Sequence, residues 1–215
     1  MISRELMAPH QRTWLVGLIV MGCICAPRAQ DRTTFKIRMG TNVTVQVAKS
    51  GLLSFAGHDH EIVAPATEGQ IVFDRADVSR SSVRLVFDAT AAKVTGKGEP
   101  AEDVPEVQRV MQSDRVLDVK KYPTITFESR SVSRAASSGA AMTLRIEGDL
   151  MLHGMTRRVT AQGVQVRTEG DRLTAEGKLE VRQSDFGIRP VTAAGGTVRV
   201  KDEVTILFAI TADRE

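Results

Sequence analysis

Two long runs of period-2 alternation constrain this chain more than anything else in it. Met142, Leu144, Ile146, Gly148, Leu150 and Leu152 occupy every even position of the first, opposite Thr143, Arg145, Glu147 and Asp149. Leu173, Ala175, Gly177, Leu179 and Val181 hold the odd positions of the second, opposite Arg172, Thr174, Glu176, Lys178, Glu180 and Arg182. Side chains on a strand point alternately to its two faces, so each run is a strand with one dry and one wet face. Ile71 and Phe73, then Val83, Leu85 and Phe87, then Val204, Ile206, Phe208 and Ile210, repeat the pattern. One-sided alternation over many long strands means antiparallel sheet. A sandwich and a closed barrel both satisfy it. Strand length, the interior glycines Gly148 and Gly177, and the removal of exposed edges favour a barrel of about eight strands.

Finer features follow from local signals. Phe35, Ile37 and Met39 alternate, Gly40 and Asn42 mark a turn, and Val43, Val45 and Val47 alternate again, which predicts a hairpin. Parity shifts across Gly163, between Val159–Ala161 and Val164–Val166, which predicts a bulge. One stretch is helical: Val107, Val110 and Met111 share a helix face. Tyr122-Pro123 ends any helix, because proline lacks an N–H and drives its predecessor toward extended geometry. Ile125 and Phe127 then resume strand alternation. The expected fold is therefore all-β, an antiparallel barrel of about eight strands with one short helix laid across it as a lid.

The first 30 residues stand apart. Arg4 and Arg12 precede an apolar run from Trp14 to Cys25, and Ala26 and Ala29 offer small residues for cleavage. This is the pattern of a secretory signal peptide, and it predicts a periplasmic or secreted protein whose single domain spans residues 31–215. Val20-Met21-Gly22-Cys23 also resembles a lipobox, which would make a lipoprotein through Cys23. Both cysteines lie in this segment, so cleavage leaves no thiol for disulfides, metal or nucleophilic chemistry. Nothing later is apolar for the roughly 20 residues of a transmembrane helix. Removing Arg4, Arg12, Arg28 and Glu5 leaves 26 basic and 25 acidic residues, interspersed rather than clustered. Without a concentrated basic face, nucleic acid is not an expected partner.

The mature chain has three histidines, His58, His60 and His153. In an extended His58-Asp59-His60 both imidazoles project to one side, a spacing suited to a divalent zinc, copper or nickel ion, with His153 a candidate third ligand. Rim histidines satisfied by backbone and carboxylates are the plainer alternative. Ser184-Asp185-Phe186-Gly187 carries the letters of a magnesium motif without the nucleotide loop that would go with it, and fits a turn. No spacing supports a catalytic set.

Three motifs in order resemble the YceI-like family of secreted, polyisoprenoid-binding proteins: Tyr122-Pro-Thr-Ile-Thr-Phe127, Glu147-Gly-Asp-Leu-Met-Leu-His-Gly-Met-Thr-Arg-Arg-Val159, and Arg182-Gln-Ser-Asp-Phe-Gly-Ile188. The resemblance covers roughly residues 33–212. It implies a lipocalin-like barrel whose apolar lumen holds a long isoprenoid lipid or quinone, with no catalysis, and it admits a homodimer. The lumen wall would be drawn from the dry faces, at Phe127, Leu144, Ile146, Leu150 and Leu152, and at Leu179, Val181, Phe186 and Phe208. The lid would present Val107, Val110 and Met111. A small metalloprotein or metal-dependent enzyme built on His58 and His60, or an assembly module with a filled core, are the competing classes.

Overall fold

A computed structural model describes residues 32–50, 58–138, 141–193 and 198–215. The leader expected at 1–30 lies outside the described residues. The chain runs through β1 (Arg32–Ile37), β2 (Asn42–Ser50), β3 (His60–Asp74), β4 (Ser82–Asp88), β5 (Lys93–Val94), α1 (Val104–Gln112), β6 (Thr124–Ser138), β7 (Ala141–Leu152), β8 (Met155–Glu169), β9 (Arg172–Arg182), β10 (Thr192–Ala193) and β11 (Val198–Arg214). Pairing follows β2-β3-β4-β6-β7-β8-β9, and β9 closes onto β11, which pairs back to β2. The result is a closed, eight-stranded antiparallel barrel, as the alternation predicts.

β1 and β2 do not form the expected hairpin. Both pair with β3 and with β11, β1 against Gln70–Asp74 and Ala212–Arg214, β2 against His60–Pro65 and Arg199–Phe208. They therefore lie end to end in one row of the barrel, interrupted at residues 38–41. There Gly40 adopts φ +84°, the Thr41 N–H donates to the Arg38 carbonyl, and Ala66 N–H donates to the Thr41 carbonyl. The turn steps the chain sideways without reversing it. β3 and β11, at 15 and 17 residues, are longer than β2 and leave ladder positions that β1 fills. At Gly163 (φ +68°) the β7–β8 register shifts as expected, the glycine taking the left-handed backbone of a bulge.

The interior differs along its axis. At the end holding the β3–β4 and β8–β9 turns, Phe35, Phe73, Leu144 and Leu173 are each 5% exposed or less and join one packed cluster. At the other end β7 and β8 are joined by the short turn at His153 and Gly154, whereas the long β4–β6 connection carries β5 and α1. Pro105 stands in the first turn of α1, where its missing N–H costs nothing, and Ser113 ends the helix by donating its hydroxyl to the Val110 carbonyl. Two glutamines fix the helix to the connection before it. Gln108 accepts from the Val94 N–H and donates to the Ala92 carbonyl, and Gln112 donates to the Thr90 carbonyl. β5 in turn pairs with β3 at Ile62 and Val63, so the lid is stitched to the barrel rim along one edge.

Candidate functional site

Beneath α1 the barrel is hollow. A cavity of about 210 Å³ is lined by apolar side chains from β2, β3, β4, β6, β7, β8, β9 and β11, and among the described residues Gln183 is the one polar residue in its wall. Space for it comes partly from the two interior glycines. A Cβ on Gly148 would stand 2.5 Å from Phe127 Cζ, and one on Gly177 would stand 2.7 Å from Phe208 Cζ. Both rings thus reach over glycine backbone into space that a Cβ there would take. A second, wider cavity of about 410 Å³ continues outward as a mouth. Val47, Ile62, Met111, Val116 and Gln183 line both, so the lumen gives onto the mouth at their level.

Most of the residues expected in the wall stand there. Phe127, Ile146, Leu150, Leu152, Leu179, Val181 and Phe208 face the lumen. Val107 and Val110 line the mouth, and Met111, 5% exposed, reaches both cavities. Leu144 and Phe186 do not reach either wall. Leu144 belongs to the solid end, and Phe186 (1% exposed) plugs the barrel beside Ile188, in a 3-10 turn that ends at Gly187 with φ +72°. Arg115, on the connection after α1, and Glu106 belong to the mouth wall; Arg109 lies off that wall but pairs with Glu106 at 2.6 Å and holds that carboxyl below its ordinary range.

The histidines divide. His58 and His60 both line the mouth, while Asp59 points away and accepts from the Lys49 backbone N–H at 2.9 Å. His58 Nε2 lies 4.0 Å from Asp103 Oδ2, and His60 Nδ1 lies 3.0 Å from Glu99 Oε2. That second pair is close enough to attract but out of line for a hydrogen bond. His60 Nδ1 and both Glu99 oxygens are therefore buried without a hydrogen-bond partner, and the Glu99 side chain has no exposed surface. His153 stands elsewhere on the same rim, edge-on to Tyr122 at 5.1 Å, with Nδ1 3.1 Å from the Phe186 carbonyl. Among the described residues, no three His, Cys, Asp or Glu side chains are grouped so as to hold a metal ion. Glu99 escapes sequence reading because it sits in a turn of small residues without periodicity.

Fold and site define a lipocalin-like barrel with a hollow apolar interior entered beneath a helix. The chain belongs to the family of the YceI-like domain, whose model matches residues 38–212. It is 34% identical over 87 residues to a UPF0312 protein of Pseudomonas putida (strain W619), covering 38% of this chain and 43% of that one. A UPF0312 protein of Pseudomonas aeruginosa (strain LESB58) is 27% identical over 127 residues, 57% of this chain and 60% of that one. The matched segments thus span about half the length of these relatives. Among solved structures, Burkholderia cenocepacia BcnA superposes with a TM-score of 0.60 at 21% identity, over 80% of this chain and 95% of its own. That likeness speaks for the fold. No helix among the described residues is long and apolar enough to cross a membrane.

Proposed function

We propose that this protein is a periplasmic or secreted carrier that binds a long isoprenoid or similar amphiphilic lipid, tail in the lumen and head at the mouth, and releases it unchanged. The observation that carries the reading is the cavity itself. At about 24 cal/mol per Å³, keeping 210 Å³ unfilled costs roughly 5 kcal/mol. That is comparable with the whole net stability of a small domain, ~5–15 kcal/mol. A barrel with only a structural task gains nothing from such a void. A hydrocarbon tail removes the cost and adds about 0.8 kcal/mol for each CH₂ it buries. The aliphatic wall suits a flexible chain better than a flat aromatic ligand. Export follows from the pattern of the first 30 residues.

Native mass spectrometry of protein purified from its own compartment, followed by lipid extraction, tests the reading. A bound species of lipid mass, released into organic solvent, is the expected result. A protein that arrives empty and also ignores added isoprenoid quinones would sink it.

A further inference from the structure

We infer that His60, oriented by the buried Glu99 carboxylate, is the hydrogen-bond acceptor for the head group of the bound amphiphile, and that this head carries a hydroxyl. The inference rests on the carrier reading and adds the chemistry of the head to it.

Position comes first. His60 and Ile62 lie two residues apart on β3 and so share a strand face. Ile62 lines both lumen and mouth, and His60 lines only the mouth. Val47, which pairs with His60 across the β2–β3 ladder, also lines both. His60 is thus the first polar ring met on this wall by a chain rising out of the apolar lumen. Gln183, which lines both lumen and mouth, uses an amide N–H on the Lys201 carbonyl at 2.8 Å. Its amide oxygen is the other acceptor at this level, and the His60→Phe variant, which leaves that oxygen in place, tells the two apart.

Glu99 supplies the second argument. Taking a carboxylate out of water costs several kcal/mol unless its oxygens are bonded. The Glu99 side chain is fully buried, yet neither oxygen has a hydrogen-bond partner. Its nearest opposite is His60 Nδ1, at the 3.0 Å expected of a hydrogen bond though not yet aligned as one. A carboxylate behind one ring nitrogen favours the tautomer protonated there, which turns the other nitrogen's lone pair outward. Pairs of this kind are often out of line before a ligand tightens them. His60 Nε2 is not among the buried unbonded atoms, bonds to no described residue, and belongs to a side chain 20% exposed at the mouth.

A lone pair at the junction of lumen and mouth selects a donor. An alcohol or phenol head supplies an O–H to Nε2. A phosphate or carboxylate head brings no O–H to Nε2; it would be drawn by charge to Lys49, Arg115 and Arg199 on the same mouth wall instead, so it would not read the lone pair. Glu99 is a positioning residue in this arrangement, and His60 makes the contact.

The test uses a matched pair, geranylgeraniol and its methyl ether, which share tail and acceptor and differ only in the O–H. Wild-type protein is expected to bind the alcohol roughly fivefold to tenfold more tightly, the worth of one net hydrogen bond. In His60→Phe and Glu99→Leu the ratio should fall to about one, while Glu99→Gln, whose amide oxygen still accepts from Nδ1–H, should keep most of it. The ratio is read within each variant, so a change in overall affinity does not enter it. His60→Phe decides alone if Glu99→Leu folds poorly. Equal binding of both probes by the wild type overturns the head-group assignment and leaves the carrier standing. Binding of neither removes both. One equivalent of zinc, lost in His60→Phe, would make His60 a metal ligand and overturn the assignment as well.

Discussion

The solid end and the hollow end of this barrel are made from the same strands and the same residue types. Phe35, Phe73, Leu144 and Leu173 meet at one end and are buried among one another. Ile146, Leu150, Leu179 and Val181, farther along the same faces of the same β7 and β9, stand around a cavity. What differs is what reaches across. At the solid end β1 completes the row beside β3 and β11 and drives Phe35 inward. At the hollow end Phe127 and Phe208 lie back over Gly148 and Gly177, and Met111 descends from α1 with Val116 and Leu117 from the connection after it. A barrel becomes a container where its aromatic rings fold back onto the wall.

Truncation should expose this difference most strongly. Leu173 is 1% exposed in the packed cluster, so Leu173→Ala is expected to cost about 2–5 kcal/mol, read by urea denaturation. Leu179 lines the lumen and already faces empty space on one side. It has fewer contacts to lose, and Leu179→Ala should cost about half as much. Added lipid should narrow that gap by making Leu179 a packed residue again. Equal costs in the lipid-free protein would mean that the two ends are packed alike.

The second way to break the comparison goes through the lid. Met111 is buried and touches both lumen and mouth, yet it belongs to α1, which the glutamine bonds hold to the rim rather than to the interior. Met111→Asp places a charge against hydrocarbon, and lipid retention should fall by about tenfold or more. Far-ultraviolet circular dichroism should show the sheet unchanged. Loss of the whole β signal would mean that the helix is part of the core, and that the hollow end depends on it for folding.

The barrel, its antiparallel order, the bulge at Gly163 and the lid were legible because each leaves a local trace: parity, a parity shift, or a change of period. Depth along the barrel axis leaves none. Leu144 and Leu150 sit on one face of one strand and are the same residue, and periodicity cannot say that the first packs solidly while the second borders a void. The turn at Gly40 misled for a related reason. Turn chemistry shows that the chain bends, but whether it returns on itself depends on the lengths of β3 and β11, which lie elsewhere in the sequence. His58 and His60 were found by spacing. Their carboxylate neighbours, Glu99 and Asp103, come from the far side of β4 and meet them only in three dimensions.

The smallest expected effect compares the outer faces. At the level of the lumen, Asp149 accepts from Arg130 and Arg158, both at 2.7 Å, and its side chain is 19% exposed. Near the solid end, Asp213 accepts from Arg38 at 2.6 Å and faces Arg172 at 3.5 Å, with 44% exposure. Hydrogen bonds from Arg158 and Arg130 hold the Asp149 carboxyl below its ordinary 3.8, and Arg38 does the same for Asp213. A group depressed on folding contributes stability above its unfolded value and loses it as the pH falls through the folded one. Asp149→Asn should therefore lower the Tm by a few °C at most at pH 7, about the scale of a surface ion pair. The gap to wild type should begin to close below about pH 4 and vanish once the wild-type carboxyl protonates. Asp213→Asn should follow the same pH course with a smaller amplitude, because its second arginine is farther and the strands there are also held from inside. Retention of lipid should not change in either variant, since both carboxylates face outward. A Tm gap for Asp149→Asn that persists at pH 2 would show that shape, not charge, is what the outer ladder contributes at the hollow end.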